Sequence, residues 1–301
     1  MKIMTTIRGN TLRNAVFAIV GLVAMLVSSL TLITLLASLA IDGSSRVSWH
    51  FFSSFPSRFP AQAGILSAWV GTSLVMGVTA CTAIPLGIAA AVYLEEYGSQ
   101  NWMTDLIEIN IANLAGVPSI VYGLMALGLF VYEFHLGSSI LTAGLTLSLL
   151  ILPMVIMTTR EAIRTVPQSI REAAFVLGAS KWQTVHDHVL PYSLGGILTG
   201  LIIALSRAIG ESAPLMTVGA LSFVAFLPHP PLQLEFPYLS FQWLMDPFAA
   251  LPIQMFNWIS RPQEEFHLNA AAAGLVLLAM TLAMNALAIV IRARFRKRLQ
   301  W

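Results

Sequence analysis

The sequence REAIRTVPQSIREAAFVLGASKWQTVHDHVLP occupies residues 160–191 and is the longest well-charged segment between two hydrophobic spans. Local signals predict that it forms two short helices. Thr165 can cap the first helix, and Pro167 falls near its first turn, where the missing backbone N–H costs nothing. Gly178 can end this helix in a left-handed conformation.

The second helix is predicted to begin at Ser180, because Gln183 follows three residues later in the pattern of a capping box. Pro191 is expected to stop it. Each helix has one apolar face, made of Ile170, Ala174 and Leu177 in the first and of Trp182, Val185 and Val189 in the second. These features alone fit a solvated connection whose basic residues only orient the protein, as well as a functional element.

The composition excludes a soluble domain. Of 301 residues, 57% are hydrophobic and 10% are charged, and the mean hydropathy is +0.78. Both values are typical of an all-α polytopic membrane protein. The net charge of +2 gives no indication of nucleic acid as a partner. The one cysteine, Cys81, cannot form an internal disulfide. His186 and His188 are two residues apart and do not share a helical face, so no metal site is expected.

Six hydrophobic runs are long enough to cross about 30 Å of hydrocarbon at about 1.5 Å per residue. The first run is too long for the apolar core of a signal peptide and is expected to be retained. The predicted spans are residues 15–41, 69–94, 112–132, 139–158, 193–216 and 268–291. Around them lie an N-terminal segment (1–14), an outer loop (42–68) and a basic tail (292–301), and the main transmembrane domain is 69–291.

The distribution of Lys and Arg predicts that both termini and the 160–191 segment face the cytoplasm, because positive charge accumulates on that side. Three basic residues precede the first span, four lie in 160–191 and five follow the last span, against three on the outer side. The inner segment after the second span is instead acidic, with Glu95, Glu96, Asp105 and Glu108. We expect it to be a solvated turn rather than a specific acidic site.

The fifth span carries two charges in the sequence SRAIGESAP, residues 206–214. A charge at the centre of a span costs on the order of 3 kcal/mol, so such residues usually mark a pathway. Arg207 and Glu211 are four apart and are predicted to pair on one helical face. They form either a buried structural ion pair or part of a translocation path that includes Ser212 and Pro214. Arginine suits any oxyanion, so phosphate, sulfate and molybdate remain equivalent at this point.

The outer segment 217–266 contains seven prolines and several aromatic residues. The aromatic residues suit a belt at the membrane interface and contact with an external binding protein equally well. They are Phe236, Tyr238, Phe241, Trp243 and Trp258.

The 160–191 segment resembles the "EAA" loop of ABC-transporter permeases. The residues that carry this resemblance are Glu172, Ala173, Ala174, Gly178, Leu190 and Pro191. The sequence departs from the motif at His188, where the family usually has isoleucine. The resemblance implies that the loop docks into a groove on an ATP-hydrolysing subunit and transmits its motion.

Three stretches, two of them in addition to the EAA loop, resemble the phosphate-specific permeases of ABC importers, the PstA and PstC pair. They are PLGIAAAVYLEEY at 85–97, LAGVPSIVYG at 114–123 and the EAA loop itself. The pattern RAIGE at 207–211 is shared with sulfate and molybdate permeases, whereas residues 210–215 and 246–253 are more similar to PstA. The resemblance implies six helices in the MetI-like fold of type I importers and a location in the bacterial inner membrane.

The same resemblance implies a non-catalytic subunit. It would pair with a PstC-like permease above a PstB-like ATPase dimer, and a PstS-like protein would deliver phosphate. The ATPase, not this chain, would use ATP and Mg²⁺, and this chain would bind no cofactor. Two alternatives remain at this stage: a sulfate or molybdate permease, and an ATP-independent channel or secondary transporter with Arg207 and Glu211 as gate or proton relay. A membrane enzyme has no support, because HExxH and GxSxG motifs are absent.

Overall fold

The structure is a computed structural model that describes residues 2–99, 101–221, 223–230, 238 and 240–298. The described residues form helices and turns and contain no strand, which confirms the all-α prediction. The longer helices are α1 (Lys2–Ser44), α3 (Leu66–Val92), α4 (Trp102–Ala115), α6 (Ile140–Arg164), α9 (Leu190–Ile209) and α12 (Glu264–Arg298). Shorter helices are α2 (Trp49–Ser53), α5 (Ser119–Ala126), α7 (Gln168–Val176), α8 (Lys181–Thr184), α10 (Ala213–Thr217) and α11 (Leu251–Ile259).

Three turns of π-helix and two of 3₁₀-helix extend or connect these elements. The π turns are Tyr93–Tyr97, Leu127–Glu133 and Val185–Val189, and the 3₁₀ turns are Pro60–Gln62 and Gln242–Met245. Because π turns continue the helices on which they lie, α3 extends to Tyr97 and α8 joins α9 without a break.

Among the described residues, five helical stretches are long and apolar enough to cross a membrane, and the bent pair α4–α5 makes a sixth when it is counted as one span. The sequence predicts one straight span at 112–132, but the structure has α4 and α5 inclined by 104°. Gly116 caps the C-terminus of α4, and Pro118, with ψ 137°, is the N-cap of α5. Because Pro118 has no N–H and an extended backbone, it cannot continue α4. The outer loop also begins later than expected, since α1 runs to Ser44.

Helix α6 lies at the centre of the molecule and packs against α3, α4, α5 and α9. Many of its inward side chains are apolar and fully buried, such as Leu147, Ile151 and Val155, and others are buried polar groups, such as Thr146 and Thr159. Thr79 of α3 also donates a hydrogen bond of 3.2 Å to the Gly144 carbonyl of α6. Such a hydrogen bond joins membrane helices that have little hydrophobic drive to associate within lipid. The central helix therefore fixes α3 and α9 relative to each other.

The outer segment is partly folded into the core. Trp258 on α11 is fully buried between Phe51 and Phe266, so the prediction of an interfacial or partner-contacting Trp258 is wrong. Tyr238 and Phe241 are exposed and Trp243 is half-buried, while Phe236 lies outside the described residues. The burial of Trp258 follows from α11 folding back against α12 and α3.

Candidate functional site

The 160–191 segment contains the predicted first helix, α7, with a C-terminus as expected. Gly178 has φ +85°, and the amides of Gly178 and Ala179 donate to the carbonyls of Phe175 and Ala174 at 3.0 Å each. This is the Schellman arrangement that glycine favours. The prediction for the N-terminus is wrong. Thr165 caps the end of α6, donating to the Ala162 carbonyl, and Pro167 is the N-cap of α7.

The second predicted helix begins as expected but does not end at Pro191. Ser180 and Gln183 form a capping box, with hydrogen bonds of 3.3 and 2.8 Å. The helix then passes through the π turn Val185–Val189 into α9. The amide of Leu190 donates to the Val185 carbonyl, five residues back. Because Pro191 lies in the first turn of α9, directly after this wider turn, its missing N–H does not break the helix.

The apolar faces of these helices divide into buried and exposed parts. Ala174, Val185 and Val189 are buried, as predicted, but Leu177 is 87% exposed and Trp182 is 62% exposed. Val176, at 86% exposure, continues the same patch. Of the other EAA-loop residues, Glu172, Ala173 and Gly178 are exposed, and Leu190 and Pro191 are half-buried. His188, the position that departs from the motif, is exposed. Large apolar side chains thus point outward at the tip of the segment.

The acidic segment is not a solvated turn, so that expectation is wrong. Glu95 accepts hydrogen bonds from Arg160 Nε at 3.2 Å and Arg164 Nε at 3.0 Å. A second nitrogen of Arg160 binds the Glu108 carboxylate. Oppositely charged residues in the segments 95–108 and 160–171 were the sequence signal for this network. The pairing itself requires the ends of α3 and α6 to lie beside α4.

The most enclosed ion pair of the network joins α7 to the π turn after α3. Arg171 Nη2 lies 2.7 Å from Glu96 Oε1, and the two side chains are 13% and 9% exposed. Arg171 also donates to the carbonyls of Val166 at 2.8 Å and Ile163 at 3.2 Å. Three donor groups of one guanidinium thus fix α7 against α3 and the end of α6. We call the set Glu95, Glu96, Glu108, Arg160, Arg164 and Arg171 the ionic clamp.

At the other end of α9, the two charges of the fifth span do not pair as predicted. Helix α9 ends at Ile209 with Gly210 as its C-cap, and the Glu211 amide turns back to the Ala208 carbonyl at 3.2 Å. Spacing of four residues aligns side chains only within a continuous helix. In the described part of the chain, Arg207 and Glu211 therefore form no salt bridge. Arg207 is exposed, whereas Glu211 is half-buried.

The surroundings of Arg207 include polar groups that sequence reasoning missed. Ser206 hydrogen bonds to Asn285 Oδ1 of α12 at 2.7 Å, which fixes the last turn of α9. The Tyr122 hydroxyl donates to the Leu114 carbonyl at 2.7 Å across the bend between α4 and α5. A lone Asn within a hydrophobic run was the available signal for the first of these contacts.

The remaining predicted path residues lie in the turn after α9. Ser212 is half-buried before α10, and Pro214 is buried in its first turn. The helix α10 packs against α5. Among the described side chains, no group of three or more His, Cys, Asp or Glu is arranged to hold a metal ion. The site therefore offers an arginine, hydroxyl groups and backbone groups for binding.

Comparison with known families identifies the architecture. Residues 83–301 match the family described as the binding-protein-dependent transport system inner membrane component. The chain belongs to this family. The match extends over the EAA loop and Arg207, which confirms the resemblance on which the permease prediction rests. A self-sufficient channel or secondary transporter is not favoured by membership of a binding-protein-dependent family.

Curated relatives of this permease include phosphate permeases. It is 33% identical over 289 residues to the phosphate transport system permease protein PstA of Yersinia pestis, covering 94% of this chain and 90% of that protein. It is 32% identical over 246 residues to PstA 1 of Mycobacterium tuberculosis strain H37Rv, with 81% and 74% covered. The probable ABC transporter permease protein YqgI of Bacillus subtilis is 34% identical over 202 residues, with 67% and 68% covered.

Solved structures confirm the MetI-like fold of the permease. A bacterial alginate ABC transporter matches with a TM-score of 0.62 at 14% identity, covering 89% of this chain and 92% of that chain. An inward-facing form of the MetNI methionine ABC transporter matches with a TM-score of 0.56 at 15% identity, covering 77% and 95%. At such low identity the likeness establishes the fold and carries nothing about the substrate.

Proposed function

We propose that this chain is the PstA-type permease subunit of an ATP-driven importer of inorganic phosphate. It forms one half of the translocation path with a PstC-like permease and is not itself an enzyme. A PstB-like ATPase dimer binds the EAA loop and uses ATP and Mg²⁺, and a PstS-like protein delivers phosphate from outside. The observation that carries the proposal is Arg207, which is exposed at the end of a membrane-spanning helix and forms no salt bridge within the described residues.

An exposed arginine in a span cannot face lipid at low cost. The penalty at the centre of a span is on the order of 3 kcal/mol on insertion scales, and Glu211 does not neutralise the charge. Arg207 lies near the end of α9, where a long arginine can also reach the membrane interface, and we infer that its guanidinium faces water in a path or a partner subunit. Its planar fork can donate two parallel hydrogen bonds to adjacent oxygens of an oxyanion. The identity of that anion as phosphate is supported by the names of the PstA relatives.

The EAA loop provides the second support for the proposal. Val176, Leu177 and Trp182 form an exposed apolar patch on its surface, and apolar side chains of this size favour a protein partner over water. Helix α8 of the EAA loop continues through the π turn Val185–Val189 into α9, which ends two residues beyond Arg207. Since α9 has 20 residues, it spans about 30 Å. A movement of the docked loop would therefore reach Arg207 through a single rigid element.

The test is uptake of radiolabelled phosphate in cells that lack their own phosphate transport. The chain is produced with its partner permease, ATPase and binding protein, in wild-type form and as Arg207→Gln and Arg207→Lys. Arg294→Gln in the cytoplasmic end of α12 is the matched control. Loss of charge-assisted hydrogen bonds worth about 1.5–3 kcal/mol would reduce uptake by Arg207→Gln roughly 10- to 100-fold. Arg207→Lys is expected to retain more uptake than Arg207→Gln.

Competition by excess sulfate or molybdate identifies the anion that the permease transports. Phosphate uptake that depends on ATP and persists in excess sulfate or molybdate supports the proposal. Uptake of sulfate or molybdate in place of phosphate would overturn the substrate and leave the permease assignment intact. Full uptake by Arg207→Gln in an assembled complex would show that this arginine does not serve the path.

A further inference from the structure

We infer that the Glu108–Arg160 ion pair transmits movement of the docked EAA loop to the bent pair α4–α5, as a second route beside α9. The inference rests on the proposed function, because it presumes that an ATPase moves the loop. It assigns Glu108, Arg160, Glu96 and Arg171 as positioning residues for the path. Direct contact with substrate is not part of their role.

The route begins at α7, the first helix of the EAA loop. Arg171 lies on α7, and its guanidinium binds Glu96 on the π turn after α3 at 2.7 Å. Its bonds to the Val166 and Ile163 carbonyls join it also to the connection that precedes α7 and to the end of α6. Because both side chains are at most 13% exposed, water cannot readily replace these contacts. A displacement of α7 therefore moves the π turn that carries Glu96.

The next step crosses from α3 to α4 through one arginine. Glu95, adjacent to Glu96, accepts from Arg160 Nε at 3.2 Å, and Arg160 also binds Glu108 in the middle of α4. The Arg160 side chain is 10% exposed, and the two carboxylates that it holds, on two different elements, are 19% and 33% exposed. A planar guanidinium binds such groups in fixed directions. The two carboxylates are therefore expected to move together.

The helix α4 is suited to transmit this movement because little else holds it. None of its residues is buried, and it packs mainly against α6. Within the described residues, the Glu108–Arg160 contact is the only salt bridge made by α4. Asp105 lies one turn earlier on the same helix and is exposed. Asp105 is therefore a carboxylate on the same helix but outside the ionic clamp, and it serves as the control for Glu108.

The last step connects α4 to the segment after Arg207. The Tyr122 hydroxyl binds the Leu114 carbonyl at 2.7 Å, bracing the bend between α4 and α5. The neighbouring Gly123 lies directly against Pro214 and Thr217 of α10, with no room for a Cβ atom. Since α10 begins six residues after Arg207, a tilt of α4 would move α10 and the turn that follows Arg207.

The experiment follows α5 and α9 separately by spin labels in the assembled complex. In a Cys81→Ser background, a single cysteine replaces either Met125 on α5 or Ile203 on α9, both of which are exposed in this chain. Electron paramagnetic resonance spectra are compared without nucleotide and after trapping with ATP and vanadate. The comparison is repeated in Glu108→Gln and in the control Asp105→Asn. Co-purification of the ATPase is measured for every variant.

The expected result is a nucleotide-dependent spectral change at both positions in the parent and in Asp105→Asn. In Glu108→Gln the change at position 125 is lost while that at position 203 and ATPase co-purification persist. The inference is overturned if the change at position 125 survives, if it is absent in the parent, or if both positions lose it together. These spectra require no phosphate, so a failure of the inference is distinguishable from a failure of the substrate assignment, which uptake alone tests.

Discussion

The backbone conformation of Gly178 shapes the exposed end of the 160–191 segment, which we propose as a docking surface. Its φ of +85° turns the chain between α7 and α8, and the exposed Val176 and Leu177 lie immediately before it. No atom lies within 4 Å of a Cβ built at this position, so space does not select glycine here. The left-handed conformation does, because it costs an ordinary residue about 1–2 kcal/mol.

This reasoning predicts different effects for two substitutions at position 178. Gly178→Asn is expected to retain ATPase binding, because asparagine tolerates the left-handed region. Gly178→Val is expected to lose a large part of it, because a β-branched residue is strained there and shifts the turn between the two helices. Co-purification of the ATPase with the tagged permease measures both. Equal retention by the two variants would show that this turn does not position the docking surface.

At the scale of elements, the contact between α5 and α10 is set by the absence of a side chain at Gly123. A Cβ at this position would overlap the Thr217 side chain and the Pro214 backbone. Gly77 on α3 is helical as well, but nothing lies within 4 Å of a Cβ built there. Alanine substitutions at the two positions therefore distinguish two effects: both change helix propensity, but only the one at position 123 disturbs close packing.

We expect Gly123→Ala to destabilise the protein by about 1–3 kcal/mol, because a methyl group added to a filled contact forces the helices apart. Gly77→Ala is expected to be neutral or slightly stabilising, since alanine is the better helix former. Thermal unfolding of the purified permease in detergent compares the two. A Gly123→Ala midpoint at or above that of Gly77→Ala would contradict the close contact between α5 and α10.

The ionic clamp predicts a thermodynamic coupling between Glu96 and Arg171. Removing one partner leaves the other charge enclosed without compensation, which costs about 3 kcal/mol or more for buried pairs. Glu96→Gln and Arg171→Gln are each expected to be strongly destabilising, and the double variant to lose less than the sum of the two.

A surface pair provides the control for this cycle. Glu161 and Arg164 are 3.4 Å apart with side chains 73% and 46% exposed, so Glu161→Gln is expected to change stability by less than about 1 kcal/mol. Chemical denaturation of the detergent-solubilised permease measures all four variants. Strict additivity of the Glu96 and Arg171 substitutions would refute the pairing.

At the scale of the whole molecule, orientation decides whether the ionic clamp and the EAA loop face the ATPase. The proposed arrangement places residues 160–191 and both termini in the cytoplasm, because the basic residues concentrate there. The loop after α1 then lies outside, where the binding protein arrives. Ser45 in that loop and Gln168 at the start of α7 are both exposed and serve as reporters.

In a Cys81→Ser background, a cysteine at position 45 is expected to react with a membrane-impermeant maleimide in intact cells. A cysteine at position 168 is expected to react only after the membrane is permeabilised. Labelling of both in permeabilised cells controls for access of the reagent. The opposite pattern would reverse the orientation and remove the basis for ATPase docking at the EAA loop.

Much of this molecule follows from local sequence. Long apolar runs specify helices that cross a bilayer, and Gly178 and the Ser180–Gln183 capping box fix two helix ends because their partners lie within five residues. The permease fold also follows from sequence, through the EAA pattern at residues 172–191 and the family match. The predictions from local sequence were wrong at two positions. Thr165 caps the C-terminus of α6 instead of beginning α7, and the π turn before Pro191 lets the helix continue into α9.

The tertiary structure decided which charges meet. Four residues of spacing suggested an Arg207–Glu211 pair, but the end of α9 at Ile209 separates them. The acidic segment looked solvated, but Glu95, Glu96 and Glu108 bind arginines 52 to 75 residues away in sequence. Periodicity reports only neighbours within one element, whereas an ion pair depends on the packing of several helix ends. Local sequence therefore sufficed for five of the predicted spans and for the EAA pattern, whereas the bend between α4 and α5, the ionic clamp and the exposure of Arg207 depend on the packing of the whole molecule.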